Sequence, residues 1–203
     1  MPKERFFRLR EEKKAEIIKA AEEEFSNYRY ENISVSRIVK AAGISQGSFY
    51  TYFDGKEDLR QYLIGRIGVG LLSWFFEQLD QHEGNICDTA LYAVAKIIKL
   101  DRKSPEFRMV ENTILDTGWT GRISVFEGNP EATIQKEFYR FSKVCYERTD
   151  LKTVRLMDEN GFDNLLELLI IIILKSAICY VAEYEDCTKI LMSAERQIQL
   201  LRA

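Results

Sequence analysis

The sequence predicts an all-α protein, with a small N-terminal three-helix head on a larger helical body. Three observations lead there. Only 3 prolines and 11 glycines interrupt the 203 residues, so long stretches lack the residues that most oppose a helix. Apolar residues recur at three- and four-residue spacing through most of the chain, which is the period of an amphipathic helix. The balance of 46% hydrophobic and 30% charged residues suits a chain with a packed core rather than a disordered one.

Glu11 to Phe25 reads as the first helix, with Ile18, Ala21 and Phe25 on its apolar face. A polar, aromatic turn follows from Asn27 to Asn32. Ser34 can cap a second helix, in which Val35, Ile38, Val39 and Ala42 share a face. Ile33 and Ile38 stand at the spacing of a hydrophobic staple. Gly43 stops this helix, because glycine takes the left-handed conformation without a Cβ penalty. Ser45 caps a third helix running to about Tyr52, with Ile44 and Phe49 as a second staple. Asp54-Gly55 breaks the chain again. Asp54 and Glu57 have capping-box spacing for a fourth helix that continues to about Leu79. No low-complexity linker separates head from body, so the expected domains, 1–56 and 57–203, join through a continuous helix. Further helices are expected over Ile86–Leu100, Pro105–Asp116, Pro130–Arg148, Phe162–Glu183 and Asp186–Leu201, with a loop from Thr117 to Asn129.

Charge is uneven. The net charge is −3, yet residues 1–14 carry six basic side chains against three acidic ones, and residues 41–53 contain no acid. For an anionic partner the local footprint matters more than the total. The four cysteines, Cys87, Cys145, Cys179 and Cys187, are dispersed, and His82 is the sole histidine. That pattern offers no clustered metal ligands, so no metal site and no cofactor is expected. Free thiols in a reducing cytoplasm are the plain reading, with a redox-sensing thiol the alternative. The charged N-terminus does not read as a secretory signal. The apolar run Leu165 to Leu174 contains Glu167 and is followed by Lys175; it is shorter than the roughly 20 apolar residues of a membrane span. A cytoplasmic protein with no membrane partner is expected.

Two short helices separated by a glycine turn, as in Ile33 to Leu59, form a helix-turn-helix pattern. In that arrangement the first helix braces the second, whose N-terminal residues lead into the DNA major groove. Ile44, Phe49 and Phe53 can anchor the third helix inward. Gln46 at its tip can make a bidentate bond to adenine. Gly47 lets the backbone approach closely. Ser48 can reach a base edge or a phosphate, and Thr51 shares its face. Tyr50, Tyr52 and Lys56 can hold phosphates, which fix register without reading sequence. Ser34, Ser36 and Arg37, at the start of the second helix, suit phosphate through the helix N-terminus. Lys3 to Arg10 read as a solvated end, with an arm along DNA as the alternative.

The run Ile38-Val39-Lys40-Ala41-Ala42-Gly43-Ile44-Ser45-Gln46-Gly47-Ser48-Phe49-Tyr50-Thr51-Tyr52-Phe53-Asp54-Gly55-Lys56-Glu57-Asp58-Leu59 closely resembles the signature of TetR-type (tetracycline-repressor-like) regulators. The resemblance covers roughly residues 10 to 60 and includes Ile18, Ala21, Phe25 and the turn aromatic Tyr30. Proline is often found in the family where this chain has Gly47, and glycine is a common alternative. The resemblance implies a three-helix DNA-binding head, a body holding a small-molecule pocket, and a four-helix bundle made by the last two long helices of two subunits.

The body agrees with a dimer on its own terms. Leu165 to Ala182 is apolar nearly all round, and Asp186 to Leu201 is amphipathic. Leu165, Leu169, Ile172, Ile190, Leu191, Ala194 and Ile198 are the expected seam of a homodimer. A core within one chain is the plainer alternative. For an effector, Trp74, Phe107, Trp119, Phe138 and Tyr139 are the candidates among many aromatics, and they point to an apolar or aromatic compound; aromatics at helical spacing more often belong to a core. There is no Gly-rich phosphate loop and no nucleophile with a nearby histidine, so an enzyme is not expected. The expected function is a ligand-responsive transcriptional regulator, a repressor that binds a pseudopalindromic operator as a dimer and is released by a small molecule. A binder with no ligand switch is the competing reading.

Overall fold

A computed structural model describes residues 2–105, 107–108, 111–112, 133–156 and 161–203. The described residues are helical, with one isolated bridge between Val154 and Arg202. The helices are α1 Glu4–Phe7, α2 Glu11–Asn27, α3 Val35–Ala41, α4 Gln46–Tyr52, α5 Lys56–Gln81, α6 Ile86–Ile97, α7 Thr133–Arg148, α8 Gly161–Val181 and α9 Cys187–Gln199. The expected loop at 117–129 lies outside the described residues, as does most of the helix expected at 105–116.

The chain forms two compact units, Met1–Leu71 with Asp101–Gly121, and Leu72–Leu100 with Arg122–Ala203. The division falls within α5 rather than at its start. The reason is packing: Leu59 and Leu63, on the first turns of α5, are fully or almost fully buried in the core of the first unit.

That core is a cluster of Ile17, Ala21, Phe25, Ile38, Phe49 and Phe53 from α2, α3 and α4, closed by Leu59 and Leu63. Phe6 joins it with no exposed surface. The N-terminal stretch is therefore not a frayed end. Its single turn is short, but burying one aromatic ring contributes about 1.5–3 kcal/mol, which outweighs fraying.

The caps follow the sequence closely. Ser34 accepts a bond from Arg37 N at 3.4 Å, and Ser45 accepts one from Ser48 N at 3.0 Å. Gly43 takes φ +60° between α3 and α4. The start of α5 differs from expectation. Asp58, not Glu57, reaches back to Asp54 N at 3.1 Å, and Glu57 bonds Arg60 and Gln61 instead.

In the second unit α8 is packed by α6, α7 and α9. Asn85 caps α6 and Asp186 caps α9, each accepting a bond from the backbone N–H three residues on. The corner between α5 and α6 turns at Gly84, with φ +78°. A Cβ there would stand 2.6 Å from Arg148 O and 2.7 Å from Asp150 N, the backbone just beyond α7. Asp150 N donates to Gly84 O at 2.9 Å. Near this point Arg148 pairs with Asp80 at 3.0 Å and lies 5.0 Å over the Phe76 ring.

α8 agrees with the helix expected over Phe162–Glu183. It has 21 residues, with a mean hydropathy of 2.1 in its most apolar window, and by length and composition it could cross a membrane. Phe162, Leu165, Leu166, Leu169, Ile172, Ser176 and Tyr180 on it are buried within the unit, as in a core helix.

Candidate nucleic-acid interface

The sequence builds the interface around α4. Phe49 and Phe53 are fully buried and clamp α4 onto the core, their rings 5.4 Å apart. With that face fixed, Gln46, Gly47 and Tyr50 are exposed and Ser48, Thr51 and Tyr52 are half-buried. Ser48 is partly engaged, since its hydroxyl lies 2.9 Å from that of Ser45. Thr51 donates back to Ser48 O at 2.6 Å. Tyr52 packs against the core cluster. The outward surface of α4 is thus carried by Gln46, Gly47 and Tyr50. A Cβ at Gly47 would meet nothing closer than Ser45 Oγ at 3.8 Å, so space inside the head does not demand glycine there.

On α3, Ser36 is exposed and Ser34 is half-buried as the cap. Arg37 is exposed but tied to the head. Its Nε lies 3.0 Å from both carboxylate oxygens of the buried Glu24, it donates to Asn32 O, and its guanidinium sits 4.1 Å over Tyr28. Glu24 also accepts Ser34 N at 2.8 Å. One carboxylate therefore fixes the start of α3, and the Glu24 bond holds the Arg37 guanidinium above its ordinary pKa.

Lys56 is committed as well. Its ammonium donates to Tyr30 O at 2.8 Å and lies 3.4 Å from the carbonyls of Glu31 and Ile33. Arg60, on the next turn, lies 4.3 Å over the Tyr30 ring. Burial raises the Tyr30 hydroxyl pKa, and its bond to Glu57 adds to the rise. Burial also opposes the Glu57 carboxylate, but Arg60 and Tyr30 together bring it below its ordinary range. Arg37 and Lys56 therefore organise the head, a role that charge and spacing alone do not reveal. A third such cation is Lys13, which donates to Ala42 O at 2.8 Å at the end of α3.

Side chains are described for three of the effector candidates, Trp74, Phe107 and Tyr139. Trp74 stacks on Tyr92 at 6.0 Å, with Lys96 4.5 Å above its ring. Phe107 is buried in the other unit. Tyr139 is 67% exposed. Trp119 and the side chain of Phe138 lie outside the described residues. A recess of about 80 Å³ between α8 and α9 is lined by Lys175, Ser176, Cys179, Ile190 and Ser193, among others. It is well below the roughly 300 Å³ of a ligand pocket.

Six of the seven expected seam residues are taken by the protomer's own packing. Leu165, Leu169, Ile172, Ile190, Ala194 and Ile198 are all buried, and Leu191 is half-buried. An i, i+4, i+8 stripe marks a face that must be covered, not which chain covers it. Among the described residues no three His, Cys, Asp or Glu side chains gather as metal ligands.

A glycine-turned helix pair with a core-clamped second helix and an exposed polar tip is a helix-turn-helix arrangement. Residues 17–63 match the family described as "Bacterial regulatory proteins, tetR family". Over 53 residues the chain is 45% identical to YdgC of Bacillus subtilis (strain 168), named an uncharacterized HTH-type transcriptional regulator. The match covers 26% of this chain and 27% of that protein, so the chain spans about a quarter of its curated relative's length. The fold is similar to that of the TetR family regulator CifR, a cysteine-substituted form of which was solved with 26-base-pair double-stranded operator DNA. The TM-score is 0.55 at 16% identity, over 90% of this chain and 94% of that one. A TetR family regulator from Chloroflexus aurantiacus J-10-FL aligns with a TM-score of 0.49 at 21% identity, over 98% and 94% of the two chains. The likeness to the tetR family of bacterial regulatory proteins thus rests on residues 17–63, and the relatives matched are named as transcriptional regulators.

Proposed function

We propose that the protein is a cytoplasmic transcriptional repressor that binds a pseudopalindromic operator as a homodimer and is released by a small apolar or aromatic molecule bound in its body. The observation that carries the DNA reading is the surface of α4, where Gln46, Gly47 and Tyr50 are exposed on a helix whose opposite face is buried. Gln46 reads a base, Tyr50 and Ser36 hold phosphates, and Ser34, Ser48, Thr51 and Tyr52 support these contacts from partly buried positions. Lys56 acts from a partly buried position, and Arg37, although exposed, is engaged by Glu24. The operator complex of CifR supports duplex DNA as the partner.

Exposure on the last helices supports the dimer. Leu168 and Met192 are 47% and 46% exposed, and Ile171 is half-buried on the same face of α8 as Leu168. We assign the seam to this face, with Leu191 at its edge. The effector reading rests on the aromatic body, of which Trp74 with Tyr92 is the part at hand.

The deciding experiment is selection of duplexes from a randomised pool by the purified chain. A palindromic consensus is expected, with half-sites about 10 base pairs or a multiple apart. Recovery of no duplex above a scrambled control would sink the proposal. Release is tested by a thermal-shift compound screen, since a ligand at 100 times its dissociation constant adds about 2.7 kcal/mol of stability. A hit must lose affinity in the presence of the selected duplex by the factor it imposes on DNA binding. Unchanged affinity leaves a binder with no ligand switch.

A further inference from the structure

We propose that the N-terminal turn α1 is a brace for α4, and that Lys3 is a positioning residue that holds the C-terminal end of this helix for DNA reading. The inference rests on the DNA role proposed above for α4. A helix end leaves its last carbonyls without intrahelical donors, and Lys3 alone supplies two of those of α4. Its backbone N–H donates to Tyr52 O at 2.8 Å, and its ammonium donates to Tyr50 O at 3.0 Å. The ammonium also pairs with Asp54 at 2.7 Å, two residues beyond the helix. That pairing holds the Asp54 carboxyl below its ordinary range. A cation at a helix C-terminus is further favoured by the helix dipole.

Phe6 fixes the same turn from the other side. It is fully buried, with its ring 4.9 Å from Phe53, 5.3 Å from Tyr62 and 6.3 Å from Tyr52. α1 thus touches both the end of α4 and the first turns of α5. A seven-residue helix is too short to hold itself, so its position depends on what it is fastened to. Gln46 stands at the opposite end of α4, so a loosened C-terminus would move the reading tip.

The test compares Lys3→Met with Arg5→Met in the full chain. Both remove one cation, and Arg5 is exposed on α1. Amide exchange is measured on the free protein, and affinity on the duplex selected by the wild-type chain. Lys3→Met is expected to speed exchange across 46–53 about two- to fivefold, the fold-change that corresponds to 0.3–1 kcal/mol at a helix end. It should weaken the duplex by at least as much, and Lys3→Arg should restore both. Arg5→Met should leave exchange across 46–53 unchanged. Equal exchange in the two Met variants overturns the brace. Unchanged exchange with weaker DNA binding and a flatter salt dependence makes Lys3 a phosphate contact and also overturns it. A wild-type chain that selects no duplex overturns the DNA role of α4 and this positioning role with it, while the exchange contrast still reports whether Lys3 holds α4.

Discussion

Gln46 and Lys56 stand ten residues apart and fit the same DNA motif, yet their surroundings assign them different work. Gln46 is exposed at the tip of α4. Gln46→Ala should cost roughly 1–3 kcal/mol at one base pair per half-site and relax preference there; equal weakening of selected and scrambled duplexes would instead make it a backbone contact. Lys56 spends its ammonium on the turn at Tyr30. Lys56→Ala should therefore lower the melting temperature, with DNA weakened as a consequence, and an unchanged melting curve would return it to the phosphate contacts. The thiols divide in a similar way. Burial raises Cys87 from 9.0 to about 11 and Cys145 to about 12, so the unfolded chain surrenders those protons first. Stability from this source is whole below pH 9 and is lost as pH climbs towards 11 and 12. At neutral pH a thiol reagent should label Cys187, which is exposed, and should reach Cys87 and Cys145 only on unfolding. Prompt labelling of either buried thiol in the native protein would contradict this. Residue types announced which side chains could touch DNA or react. Which of them already had partners was not legible, because Lys56 and Arg37 find theirs 26 and 13 residues away in sequence.

The helices themselves were largely legible, for a local reason. Ser34, Gly43 and Ser45 act within a turn of where they stand, so sequence and structure agree at those boundaries. α1 was missed because one turn has no periodicity to read, and its stability comes from Phe6 in a distant core. Asp58 displaced Glu57 at the start of α5 for the same kind of reason, as Glu57 is held by Arg60 and Tyr30. Glu24 was likewise unreadable. It stands in an acidic run and is the buried member, accepting Ser34 N and pairing with Arg37. Glu24→Gln should destabilise the helix pair by about 1–3 kcal/mol through the charge-assisted bonds it weakens, measured by denaturant titration. A variant as stable as wild type would show that α3 is set by the hydrophobic contacts alone.

At the scale of the whole molecule the all-α fold class followed from composition and period, whereas the face each body helix presents to a partner did not. Ile190, Ala194 and Ile198 form a stripe that looked like a seam and is the protomer's own core. The open face of α8, at Leu168, became visible only when that core was filled. If the proposed dimer forms through this face, Leu168→Glu should convert it to a 23.7 kDa species in sedimentation, because a charge on a buried seam is uncompensated. Wild-type protein that sediments as a monomer at micromolar concentration would remove the dimer, and a Leu168→Glu variant that stays dimeric would move the seam.

Gly84 carries one further consequence. Backbone meets backbone there with no room for a single added carbon, and the two strands of chain exchange a hydrogen bond at the same point. Mechanically this is a pin joint without slack: the end of α5 and the end of α7 share one set of coordinates. A methyl group at Gly84 would prise the joint apart, so Gly84→Ala should lower the melting temperature.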